Sequence, residues 1–273
     1  MSSAENETKE TGIRQYYRAL YQTWGAQHWW PAETRFEVIV GAYLTQNTAW
    51  TNVELALTQL RHAGLLNVEG VRRVRLAKLE KLIRSSGYFR QKAARLKTFV
   101  AFLDAQYQGS LDRMFEEPLS TLREKLLGLN GVGPETADSI LLYAGNHPVF
   151  VVDTYTRRII ERHNILSSEA GYEDVRALFE RALAPIVQQE EHKSTSNRVE
   201  LESGIRGVAP HSPSAMSTAH RTALVQVYNE MHGLIVGVGK HYCKKSKPDC
   251  EACPLQPFLP EEPALSLPKR SPD

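Results

Sequence analysis

Three things are scarce in this 273-residue chain. It has three cysteines, Cys243, Cys250 and Cys253, all within eleven positions of each other near the C-terminus, which excludes a distributed disulfide framework and points to ligands. No apolar run reaches the roughly 18 residues that a bilayer crossing takes, and the polar, acidic start MSSAENETKE does not read as a signal peptide. A cytoplasmic protein is expected, nucleoid-associated if bacterial, with no membrane partner. Net charge is also low, +2, so the chain as a whole is neither a polybasic nor a polyacidic binder. A hydrophobic fraction of 42% and a charged fraction of 23% exclude disorder as the general state, and the length suffices for a sizeable core.

The near-neutral total hides a local excess. Between Arg61 and Lys97 there are eleven Lys or Arg against two acids, a net charge of +9. Such clustering reads either as a footprint for a polyanion or as a solvated helix face.

Helical periodicity dominates. IRQYYRALYQTWG, FEVIVGAYLTQ, TNVELALTQLRHAG, LAKLEKLIRSSG, RQKAARLKTFVAFLDAQY, LSTLREKLLGL, ETADSILLYAG and RTALVQVYNEMHGLIVGVGKHY each carry an apolar face at helical spacing, and HWWP interrupts the first two. PVFVVD is the single strand-like run. The class expected is all-α, in two helical lobes: residues 36–145, and residues 12–35 with 146–253. Residues 1–11 read as a loose tail and 189–220, rich in Ser, Gly and Pro, as a flexible insertion. Residues 254–273 read as an unfolded Pro-rich tail.

The segment LNGVGPETADSILLYAGNHPVFVVDTYTRR, residues 129–158, carries the most chemistry. Gly131 and Gly133 permit positive φ and leave successive amides uncovered, and where such a turn opens a helix, free N–H groups and the dipole form an anion site. The bland alternative is a helix connection with a glycine cap. Asp153 closes the apolar run and stands where it could cap the helix TYTRRIIERH.

LNGVGPETA followed by VVDTYTRR, with FEVIVGAYLTQNT and GYFRQKAARL upstream, resembles the helix-hairpin-helix and Gly/Pro–Asp signature of the endonuclease III superfamily of DNA glycosylases. The likeness covers most of residues 29–253. It implies a helix-hairpin-helix with an active-site cleft between the lobes, a hairpin that grips phosphates through Gly131 and Gly133, and a base flipped out of double-stranded DNA. Asp153 is then the catalytic carboxylate, stabilising positive charge on the sugar and orienting water. Gln46 matches the duplex-probing glutamine of the family and Tyr88 its wedge. Family members that also cut the strand carry lysine where this chain has Glu135. A carboxylate forms no Schiff base, so the resemblance implies a monofunctional glycosylase.

Trp29, Trp30, Pro31 and Trp50 resemble the aromatic slot of the 3-methyladenine glycosylase branch, which makes an alkylated purine, cationic and suited to aromatic faces, the first substrate expectation. Trp24 reads as core. The spacing of Cys243, Cys250 and Cys253 matches three ligands of the family's four-iron cluster, but the fourth position is Leu259. The readings left are a cluster completed by His241 or Asp249, a zinc site, or a loop held by packing, with Lys244, Lys245 and Lys247 keeping it basic in each case. Two other functions remain open: an endonuclease III-like glycosylase and abasic-site lyase on damaged pyrimidines that recruits another lysine, and a DNA-binding module without catalysis. A monomer is expected.

Overall fold

Helix α1 (Ser3–Trp24) opens the computed structural model, which describes residues 3–193 and 213–260. The expectation of a loose tail over residues 1–11 is therefore corrected. Glu5 pairs with Lys9 one turn on, Glu10 pairs with Arg181, and Ile13, Tyr16, Tyr17 and Leu20 bury the inner face. A polar composition conceals a helix whose partners lie far along the chain.

Eight helices follow: α2 (Arg35–Thr45), α3 (Trp50–His62), α4 (Val68–Arg73), α5 (Leu76–Leu82), α6 (Phe89–Tyr107), α7 (Leu111–Phe115), α8 (Leu119–Leu127) and α9 (Pro134–Ser139). α9 runs on into a widened π-type turn at Ile140–Ala144. Then come α10 (Thr154–Arg162), α11 (Tyr172–Lys193) and α12 (Ala223–His241). The class is all-α, and no strand occurs among the described residues. PVFVVD is instead a loop, exposed at Pro148 and buried from Val149 on. Side chains supply the partners a neighbouring strand would have given: the Phe150 amide donates to Glu180 Oε1 at 3.0 Å and the Val152 amide to the Tyr172 hydroxyl at 3.3 Å.

Two compact units result. One comprises Trp30–Pro148 with Pro213–His220, the other Met1–Trp29, Val149–Ser212 and Arg221–Asp273. In the first, α2 is buried along most of its length and packs on α3, α6, α9 and the π-type turn. In the second, α1 packs on α11 and α12, and α12 on α10. The stretch 30–35 belongs with the hairpin unit. So does 213–220, where the Ala32 amide donates to Ser214 Oγ at 3.1 Å and the Met216 amide to the Ala32 carbonyl at 3.0 Å. The expected flexible insertion is thus narrowed at both ends, since α11 continues to Lys193; its part over 194–212 lies outside the described residues. The C-terminal tail is ordered over 254–260, where Leu255 is buried and the Phe258 ring sits 5.3 Å from Tyr16; the rest lies outside. No described helix is long and apolar enough to cross a membrane.

Candidate active site

The hairpin joins α8 to α9. Gly131 has φ +77°, so conformation calls for glycine, and a Cβ there would displace the Arg95 guanidinium. Gly133 differs from the sequence expectation. Its backbone is extended, with φ −92° and ψ 176°, and it caps α9. Nothing lies within 4 Å of where its Cβ would be, so the fold itself does not demand a glycine and the bare backbone faces open space. Pro134 occupies the first helical position, where a missing N–H costs nothing, and Glu135 sits in the first turn, on the positive side of the dipole. Arg123 of α8 donates to both oxygens of fully buried Asp138 of α9, at 2.7 and 3.1 Å, bracing the two helices across the hairpin.

Gln46 joins this hairpin. Its Nε2 donates to the Gly131 carbonyl at 3.0 Å and to Thr136 Oγ1 at 2.9 Å, while its Oε1 accepts from Arg95 Nη1 at 2.8 Å. Tyr88 is 68% exposed, holds a left-handed backbone (φ 45°) and starts α6. An aromatic presented to solvent on a strained turn stands out among mostly buried aromatics.

The basic segment divides. Arg61 pairs with Glu37, Arg72 with Asp104 and Glu69, Arg73 with Glu69, and Lys97 donates to the Arg72 and Val74 carbonyls. Arg75, Lys78, Lys81, Arg84 and Arg90 stay exposed along α5 and the Tyr88 turn.

The four residues expected in one aromatic slot are split between the units. Trp30 packs edge-on against Trp50 at 5.2 Å and 88°, and tilted against Tyr143 at 5.2 Å. Pro31 follows half-buried. Perpendicular rings form no parallel-walled slot. The Trp50 indole nitrogen is buried without a hydrogen-bond partner. Trp29 belongs to the other unit, edge-on to His232 at 6.3 Å with Lys240 Nζ 5.8 Å over its ring.

In that unit Asp153 caps α10. Its Oδ1 accepts from the Thr156 amide at 2.7 Å and the Thr156 hydroxyl at 2.9 Å, leaving Oδ2 to face His232 Nε2 at 3.6 Å. Burial pushes the carboxyl up, but His232 and the two Thr156 donors outweigh it and hold Asp153 below the usual carboxylate range. A 9% exposed carboxylate that stays ionised suits a group meant to face positive charge. His232, between Trp29 and Phe150, is a residue the sequence reading missed. Its one signal was a histidine inside the apolar helix MHGLIVG.

Cys243, Cys250 and Cys253 line one cavity, with Leu259 and Asp249 in the same wall. His241 is not among its lining. The cavity holds about 30 Å³, room for one or two waters. Burial pushes the Cys253 thiol up, and the neighbouring Cys243, Cys250 and Asp249 add to it. Among the described residues no three His, Cys, Asp or Glu are arranged to hold a metal ion. Three thiols and a leucine are one sulfur short of a four-thiolate cluster site, and Asp249, the carboxylate in the same wall, does not join them in an arrangement that could hold a metal, so the residues present do not fit that group.

The HhH-GPD superfamily profile, of base excision DNA repair proteins, matches residues 40–185. A Methanocaldococcus jannaschii protein, provisionally named a DNA repair glycosylase, is 38% identical over 92% of this chain and 97% of its own. Among solved structures, the Helicobacter pylori 3-methyladenine DNA glycosylase bound to 1,N6-ethenoadenine is 27% identical with TM-score 0.62, covering 86% of this chain and 97% of that one. A trapped endonuclease III–DNA covalent intermediate shares the fold, with TM-score 0.65 at 20% identity, over 92% and 95% of the two chains.

Proposed function

From the chain's membership of the HhH-GPD superfamily of base excision DNA repair proteins, we propose that it is a monofunctional DNA glycosylase acting on alkylated purines in double-stranded DNA. Two observations together carry this reading: Asp153 is a buried carboxylate held ionised, and the first turn after the hairpin carries a carboxylate, Glu135. The C1′–N bond breaks with its electron pair leaving on the base. Positive charge builds on the sugar, Asp153 stabilises it, and water adds at C1′ while releasing its proton to solvent. The low pKa of Asp153 makes it an electrostatic stabiliser before it is a base. No amine at position 135 competes with water, so the strand is left intact.

The bare backbone at Gly133 supports a phosphate contact, and the exposed cations from Arg75 to Arg90 beside Tyr88 support backbone tracking. Tyr88 is the wedge that offsets unstacking. The unsatisfied Trp50 N–H supports donation to a purine ring nitrogen or carbonyl. The 3-methyladenine glycosylase relative supports a purine, whose alkylation already weakens the glycosidic bond.

The second reading, a lyase using another lysine, draws support from Lys240 above Trp29, whose ring meets His232. Chromatography of free bases released from duplexes carrying alkylated, oxidised, deaminated or mismatched bases tests the proposal. Release of methylated purines is expected; release of damaged pyrimidines alone would contradict it.

A further inference from the structure

Lys92 is a buried cation with no carboxylate among its hydrogen-bond partners. Its side chain is 1% exposed, and its ammonium donates to the Leu44 carbonyl at 2.8 Å, the Thr48 hydroxyl at 2.9 Å and the Ser86 carbonyl at 2.6 Å. All three donors are used. Burial, then the nearby Arg95 charge, lowers its pKa to about 8, so it still carries its proton at neutral pH at a desolvation cost. A leucine or methionine would fill this space without that cost. The three acceptors show what the charge accomplishes.

Each acceptor belongs to a stretch beside a residue assigned above to the DNA. Leu44 lies in the last turn of α2, two residues before Gln46. Thr48 closes the turn in which Asn47 holds φ 51°, and its hydroxyl also reaches the Ser86 carbonyl. Ser86 immediately precedes Gly87 (φ 63°) and Tyr88 (φ 45°). One turn further along α6, Arg95 holds the Gln46 side chain. Two successive positive-φ residues at a solvent-facing turn persist only when their surroundings over-determine them, and the Lys92 ammonium is the hub of those surroundings.

We infer that Lys92 is a positioning residue, whose ammonium locks the Gln46–Thr48 turn and the Gly87–Tyr88 turn into one rigid probe that meets the duplex preorganised. The inference rests on the glycosylase reading for the roles of Gln46 and Tyr88. It adds that duplex opening, and not bond cleavage, depends on Lys92.

The test uses the full chain, with Lys92→Met, and with Thr48→Val as a milder variant that leaves no buried charge without partners. Two readouts are taken: fluorescence of 2-aminopurine beside a tetrahydrofuran abasic analogue in duplex, which needs no catalysis, and base release from duplex against single-stranded substrate. Lys92→Met is expected to cut probe brightening and duplex kcat/KM by about 10-fold or more, while single-strand release stays within about 3-fold of wild type. Thr48→Val should move both in the same direction by a smaller factor. In the Tyr88→Ala background neither substitution should add to the loss, because the wedge they position is gone.

Equal loss on single and double strands, full additivity with Tyr88→Ala, or unchanged duplex kinetics would overturn the inference. If Lys92→Met does not fold, Thr48→Val alone decides by the same criteria. A wild type that brightens the probe but frees no base would sink the glycosylase reading and leave the Lys92 comparison intact. A wild type that fails to brighten it would remove the wedge, and the inference with it.

Discussion

His232 Nε2 stands 3.6 Å from Asp153 Oδ2, while the other carboxylate oxygen is committed to capping α10. One oxygen holds the fold and the other is left for the chemistry proposed above. Asp153→Asn keeps a competent cap and removes the charge, so base release should fall by about 100-fold or more. Stability at neutral pH should change by no more than about 1 kcal/mol. Single-turnover release and thermal unfolding measure the two separately.

The same pair sets a pH signature. The folded-state carboxyl of Asp153 titrates below its unfolded value of 3.8, so in the acid window the unfolded chain binds more protons. Its contribution to stability is full above about pH 4 and is lost as pH falls through the folded-state value. Wild type should therefore lose stability more steeply than Asp153→Asn below that point. Parallel acid-unfolding curves would show that the carboxyl is not held low.

Arg123 and Asp138 brace the hairpin from within. Arg123→Met takes the guanidinium away from a fully buried carboxylate and should cost about 3 kcal/mol, or roughly 10 °C in melting temperature. Arg123→Met combined with Asp138→Leu should recover part of that loss, because the stranded charge goes with its partner. Calorimetry on the two variants gives the sign.

Trp50→Phe separates packing from donation. It keeps an aromatic edge against Trp30 and deletes an indole N–H that is buried without a partner, so stability should hold or rise by up to about 1 kcal/mol. KM for the damaged duplex should rise if that N–H is kept for the base. Steady-state kinetics beside a melting curve checks both halves.

Leu259 closes the cavity that the three cysteines line. Anaerobically purified wild type should show no cluster absorbance near 400 nm, and Leu259→Cys, by adding the fourth sulfur, should gain iron and colour. An iron assay reporting four irons in wild type would refute the donor-count argument.

What could be read from the chain was what local sequence decides. Gly131 needs its left-handed turn, and Asp153 caps the helix that follows it. Both are settled within a few residues. What could not be read depends on partners far along the chain. His232 and Lys92 look like a polar interruption and a surface lysine until the fold brings them to Asp153 and to Ser86 with Leu44. The start of α1 looked loose because Arg181, which holds Glu10, lies on another helix. PVFVVD looked like a strand because its side chains are apolar, yet Glu180 and Tyr172 serve its amides. Adjacency of Trp29 and Trp30 in sequence likewise concealed that they enter separate packing units.

The central claim is that Glu135 stands where an attacking amine would be needed, so the protein frees a base and leaves the strand whole. The most direct measurement incubates wild type with an end-labelled duplex containing a methylated purine, with and without borohydride, and resolves the strands before and after alkali. Full-length strand before alkali, cleavage at the damaged site after it, and no protein–DNA adduct are predicted. Cleavage without alkali together with a borohydride-trapped adduct would contradict the claim.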